Sequence, residues 1–244
     1  MSIMNDPIYT AINALDAAQT SINKLSQNLS NMNSISYKKE YVDFKEVAYS
    51  QGVESQKSVS ANVKTDYSQG NLTATGNPFN VAIDGVGFME VTNSSGEVYL
   101  TRKGTLEIDE SGYLSVDGLY RLASEIQVPT DLKNLSISSD GSVGGLIDGV
   151  GAVSLGKVSL YDFDEALLIR ESNGLYRVES NSNSLNAGEK VNSNIIQGYL
   201  ELSNVDMTSE LMEMVLAQSM FQANAKVFQV SDEIIDDVNS LLKV

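Results

Sequence analysis

The chain has 244 residues, 42% of them hydrophobic, which is enough apolar material for one or two cores and too much for global disorder. Thirty-two acidic against sixteen basic residues give a net charge of −16, the wrong sign for a nucleic-acid backbone or for anionic lipid head groups. Cysteine and histidine are both absent, which excludes disulfides and removes the commonest general base, serine activator and transition-metal ligand.

The opening Met1-Ser2-Ile3-Met4-Asn5-Asp6 has neither the basic start nor the apolar run of a secretory signal. No stretch reaches the roughly 18 apolar residues of a membrane span. The expectation is a chain that stays cytosolic or leaves by another route, with no membrane insertion and no nucleic acid.

From Pro7 to about Asn33 apolar residues recur every seven positions: Ile8, Leu15, Ile22 and Leu29 in one register, Ala11, Ala18, Leu25 and Met32 in the other. This is the seam of a coiled coil about 40 Å long, with Asp6 as N-cap and Pro7 at the first helical position. Ser50 to Gln69 is polar and flanked by Gly52 and Gly70, and reads as part of an extended connector, 37–77.

Across 78–198 the period changes to two. Asn80–Ile83, Phe88–Val91, Val98–Thr101, Leu106–Ile108 and Leu175–Val178 alternate as half-buried strands, with Asp84-Gly85, Ser95-Gly96, Ser111-Gly112, Asp117-Gly118, Asp140-Gly141 and Asp148-Gly149 as turns. The glycine cluster Gly141–Gly151 lacks the Lys-Ser or Lys-Thr of a phosphate loop and reads as turns. The acidic groups at Asp109-Glu110 and Asp162-Asp164-Glu165 lack calcium-loop spacing and read as solvated carboxylates.

In 199–244 the helical period returns. Met207, Met214, Phe221, Phe228, Ile235 and Leu242 recur every seven residues, with Leu211 and Ala225 in the partner register. A second column, Met220, Val227, Ile234 and Leu241, widens the stripe beyond what one partner helix needs. Gln218, Asp232 and Asn239 are polar intrusions that fix register. The expected fold class is therefore α+β: residues 1–36 and 199–244 as long terminal helices forming a coiled-coil-like layer, with an antiparallel β-rich domain inserted between them.

Four stretches carry a resemblance. Gln27 to Lys39, with Asn28, Leu29, Asn31, Tyr37 and Lys38, resembles the N-terminal signature of bacterial flagellar rod and hook proteins. Gly70-Asn71-Leu72 leading into Pro78–Phe88, then Tyr99–Gly104, then Gly198–Asp206 with Ser203, Asn204 and Val205, resemble the same family. The resemblance implies a structural axial subunit of the basal-body rod, exported through the flagellar type III apparatus. Its terminal helices would line a helical tube that transmits torque. The proximal rod type is favoured by Pro7–Ala11 and the short connector, and the distal rod or hook type is the alternative. Implied partners are copies of the chain and other rod proteins, with hook and surrounding ring proteins as candidates. In place of the family's glycine before the aromatic residue stands Ser36, where a left-handed backbone would be costly.

The expected assembly interface is Ile8, Leu15, Ile22, Leu25, Leu29, Met32, Met207, Leu211, Met214, Phe221, Phe228, Ile235 and Leu242. No catalytic residue, cofactor, metal or small-molecule substrate is expected. The readings from other classes are a secreted hydrolase using paired carboxylates and a binding module with an exposed sheet edge.

Overall fold

The computed structural model describes residues 6–51, 54–178, 189–190 and 193–241. They form two compact units, one built from residues 6–32, 39–66 and 205–241, the other from residues 33–38 and the described part of 67–204.

The first unit contains α1 (Asp6–Ser30), β1 (Glu40–Gln51), β2 (Glu54–Thr65) and α2 (Met207–Leu241). α1 closes where the Asn31 backbone N–H reaches back to the carbonyls of Gln27 and Asn28, while its side-chain amide donates to Gln27 O at 2.8 Å. α2 opens at Asp206, whose carboxylate accepts from the Ser209 N–H at 2.8 Å. That capping bond holds the Asp206 carboxyl below its ordinary range. β1 and β2 pair antiparallel without a bulge from Glu40 opposite Thr65 to Gln51 opposite Glu54. An isolated two-stranded ribbon is marginal in water, so this one depends on α1, against which it packs.

The second unit is all β apart from two single-turn 3₁₀ segments. Its strands are β3 (Leu72–Ala74), β4 (Val81–Asp84), β5 (Phe88–Thr92), β6 (Val98–Thr101), β7 (Leu106–Ile108), β8 (Leu114–Val116), β9 (Tyr120–Leu122) and β10 (Leu132–Ile137). They continue as β11 (Ser142–Ile147), β12 (Gly151–Lys157), β13 (Leu160–Asp162), β14 (Leu168–Arg170), β15 (Leu175–Val178), β16 (Glu189–Lys190), β17 (Asn194–Gln197) and β18 (Tyr199–Glu201). The main sheet runs β14-β15-β6-β5-β9-β8-β7, with β13 joining at β5. β10-β11-β12 form a meander, and β17 and β18 return to pair with β4 and β3.

Alternation sends Val81, Ile83, Met89, Val91, Leu106, Leu114, Val116 and Leu122 into one core, closed by Ile126, Val143, Leu160 and Ile195. A smaller cluster gathers Phe88, Leu100, Phe163, Tyr176 and Val178. Within it Tyr67, Phe88 and Tyr176 meet edge to face at centroid distances of 5.4–5.8 Å, a favoured aromatic geometry.

Three expectations change. The chain is mostly β, and helical residues are about 30% of those described, so the coiled-coil-like helical layer is not what forms. The helix pair instead buries small and polar residues and shares its unit with the β1–β2 ribbon. Second, the segment read as part of an extended connector is half of that ribbon, because Val59, Ala61 and Val63 supply an alternation too weak to see beside its polar residues. Third, the glycine cluster is partly strand. Gly144 and Gly145 lie within β11, where an added Cβ would sit 2.6 and 2.4 Å from carbonyls of neighbouring strands.

Candidate assembly surface

α1 turns a narrow face inward: Ala11, Ala17, Ala18, Leu25 and Asn28 are buried, while Leu15, Ile22 and Leu29, with Met32 in the turn that follows, are half-buried. α2 meets it with Glu210 and Ala217 buried and Met214, Phe221, Ala225, Phe228 and Ile235 half-buried. Alanines on both sides let the backbones approach closely. The last turn of α1 lies beside the first turn of α2, through Asn28 and Glu210 at 3.0 Å, so the helices run antiparallel.

Asn28 is the pin of this unit. Its side-chain amide copies a peptide group, donating to Glu40 O at 2.7 Å and accepting from Glu40 N at 3.0 Å, and it also donates to the Glu210 carboxylate. One side chain thereby ties the end of α1 to the start of β1 and to α2. Burial pushes the Glu210 carboxyl above its ordinary range, against the lowering effect of the Asn28 bond. Lys24 closes the arrangement on Glu40 at 2.8 Å.

The opposite face of α2 is apolar and uncovered within its unit. Met212, Val215 and Leu216 are each more than 60% exposed, and Met220, Val227, Val230 and Ile234 continue the stripe at helical spacing. At its start Met207, Leu211, Met212 and Val215 border a shallow apolar depression with Thr208. Scattered single apolar residues need no explanation, but a continuous stripe along a helix marks a surface made to be covered.

Of the expected interface residues, Leu25 is buried inside the unit and Met207 and Leu211 are exposed, while Leu15, Ile22, Leu29, Met32, Met214, Phe221, Phe228 and Ile235 lie between. The side chains of Ile8 and Leu241 and all of Leu242 fall outside the described residues.

Of the other signature residues, Leu29, Asn31 and Val205 belong to the first unit, and Tyr37, Lys38, Ser203 and Asn204 to the second. Lys38 is wholly buried and donates to Glu201 at 2.6 Å and to Ser68 O at 2.5 Å. Arg102, also buried, meets the other oxygen of Glu201 at 3.0 Å through Nε and donates from its two terminal nitrogens to the carbonyls of Gly87 and Gly85 at 2.7 and 2.9 Å. The Gly70 N–H adds a bond to Glu201 at 2.9 Å. Two buried cations thus share one carboxylate, and backbone groups satisfy what is left, which is the condition for a buried ionic cluster to be tolerated.

Around this cluster Ser36 takes the left-handed backbone at φ 54° and repays it twice. Its N–H donates to Glu201 O at 2.8 Å and its hydroxyl to Arg102 O at 3.0 Å. Tyr37 is stacked by the Arg170 guanidinium at 4.3 Å, and Arg170 also donates to Lys38 O. Asn204 reaches Ser68 through its side chain and Tyr37 O through its backbone. Gly70 is required because a Cβ would sit 2.1 Å from Leu202 O.

Sequence reasoning missed Glu40 and Glu210, and it held Arg102 and Glu201 only as members of family-like stretches, with no role for their charges. The signal for Glu210 was a charge at an inward position of the helical stripe.

Residues 82–145 match the model described as flagellar hook protein FlgE/F/G D1 domain. Residues 196–241 match the model described as flagellar basal body rod FlgEFG protein C-terminal. The chain is similar to the flagellar basal-body rod protein FlgG of Bacillus subtilis (strain 168), 31% identical over 96% of this chain and 98% of the relative. It is 28% identical to FlgG of Buchnera aphidicola subsp. Schizaphis graminum over 96% and 98%. It is likewise 28% identical to the flagellar basal-body rod protein FlgF of Mesorhizobium japonicum over 97% and 99%.

Proposed function

The chain belongs to the flagellar basal-body rod protein family, and on that premise we propose that it joins its neighbours through the unit formed by α1, α2 and the β1–β2 ribbon. It is a structural subunit of the flagellar basal-body rod, located there, and it assembles with other rod and flagellar proteins. The observation that carries the choice of surface is the uncovered apolar stripe of α2 from Met212 to Ile234.

In this reading Leu25 and Ala217 set the shape of the unit from within. Leu15, Ile22, Leu29, Met32, Met214, Phe221, Phe228 and Ile235 lie at the margin, where a neighbour completes their burial. Met207 and Leu211 belong to the stripe itself. Ile8 and Leu242 stay in the interface on sequence spacing alone. Specific neighbours proposed are copies of the chain, hook and ring proteins and the export apparatus, and no catalytic role is proposed.

Two rod positions compete. Pro7–Ala11 and the short 37–77 segment support the proximal type, and the 31% identity to a FlgG relative against 28% to the FlgF relative supports the distal type. Expression in strains lacking either rod protein tests both readings. Restored motility in one background assigns the position; failure in both, with the chain stably expressed and exported, rejects a rod role.

A further inference from the structure

Glu210 is a carboxylate standing where a helix pair ordinarily places an apolar residue. It precedes Ala217 by seven residues on the face of α2 that meets α1, and it is 2% exposed. Its bonded partner across the interface is neutral. Asn28 donates to Glu210 at 3.0 Å with one hydrogen and to Glu40 O at 2.7 Å with the other, and its carbonyl oxygen is taken by Glu40 N.

Among the described residues, the charges facing this position do not offer Glu210 an ion pair. On α2, Asp206 and Glu213 flank it and repel it. Just before β1 lies Lys39, which attracts it, and at the start of β1 lies Glu40, whose backbone Asn28 holds. Lys39 lies 4.0 Å from Asp66, and Lys24 of α1 bonds Glu40 at 2.8 Å. Each cation nearby is thus shared with another carboxylate, and burial remains the largest influence on Glu210, raising its affinity for a proton.

We propose that α2 docks on α1 with uptake of a proton at Glu210, which makes the helix pair a joint that tightens in acid. The neutral carboxyl keeps the Asn28 bond through its carbonyl oxygen and sheds the cost of a buried charge. The undocked carboxyl titrates near its ordinary 4.5 and the docked one above it. Pairing is therefore tightest below pH 4.5 and weakens by up to about tenfold per pH unit as the pH rises through the docked value, then levels off. This concerns pairing inside one chain and stands whether or not the α2 stripe is the assembly surface.

The test is a carboxyl-carbon NMR titration of Glu210 in the full chain, with amide exchange of residues 207–225 followed between pH 4 and 8 in the native chain and in Glu210→Gln. The expected result is a Glu210 midpoint above 4.5, with protection that falls as the pH rises in the native chain. Glu210→Gln should be more protected than the native chain at pH 7 and lack the component due to this group. A midpoint at or below 4.5 overturns the proposal, as do identical pH profiles for the two chains. Should Glu210→Gln fail to fold, the native titration decides alone.

Discussion

Lys38, Arg102 and Glu201 show how a short signature can encode packing rather than chemistry. The three side chains are buried together, and Glu201 bonds both cations, one through each carboxylate oxygen. Replacing Glu201 by Gln removes the carboxylate that both buried cations share and should cost about 3–5 kcal/mol. Lys38→Met keeps the Arg102–Glu201 pair and should cost less. Urea denaturation of the full chain, followed by aromatic signals from Tyr67 and Tyr176, orders the two variants. Ser36 offers the converse case. Ser36→Gly relieves about 1 kcal/mol of left-handed backbone cost but gives up a hydroxyl bond of similar worth, so its stability should stay within about 1 kcal/mol of the parent. A loss well beyond that would show that the hydroxyl bond to Arg102 O does more than balance the backbone.

The helices differ in what holds them. α1 is tied at its end by Asn28 and Asn31, and α2 begins at the Asp206 cap. Because the cap holds the Asp206 carboxyl low, its contribution is present above the ordinary carboxylate range and is lost as the pH falls through the docked value. Asp206→Ala should remove that acid-side loss and fray the first turn, read as faster amide exchange at Thr208 to Glu210. The two faces of α2 separate folding from assembly. Leu25→Asp places a charge at a site only 5% exposed and should undo the helix pair while the second unit stays folded. Leu216→Asp, at a site 62% exposed, should leave the chain as stable as before and abolish motility in the complementation assay. Normal motility with Leu216→Asp would remove the stripe from the interface.

At the scale of the whole molecule, a rod subunit must be soluble as it is made and buried once it is placed. A net charge of −16 keeps copies apart in dilute solution, while an uncovered apolar stripe favours association once subunits are brought close. The sequence by itself determined the family, since its signature stretches are local runs that identify themselves. It also determined the four strands from Val81 to Ile108, because alternation and Gly-containing turns are written in neighbouring residues. It could not determine the fold of the ends. A seven-residue repeat says that one face is apolar and leaves open whether helix, ribbon or neighbour covers it, so the expected coiled-coil layer gave way to a helix pair lined by alanines and sharing its unit with β1 and β2. Nor could it join Lys38 to Glu201, 163 residues apart, or Asn28 to Glu210, 182 residues apart. Buried charges find their partners only when the chain closes on itself, and the worth of each pair depends on the solvent that closure removes.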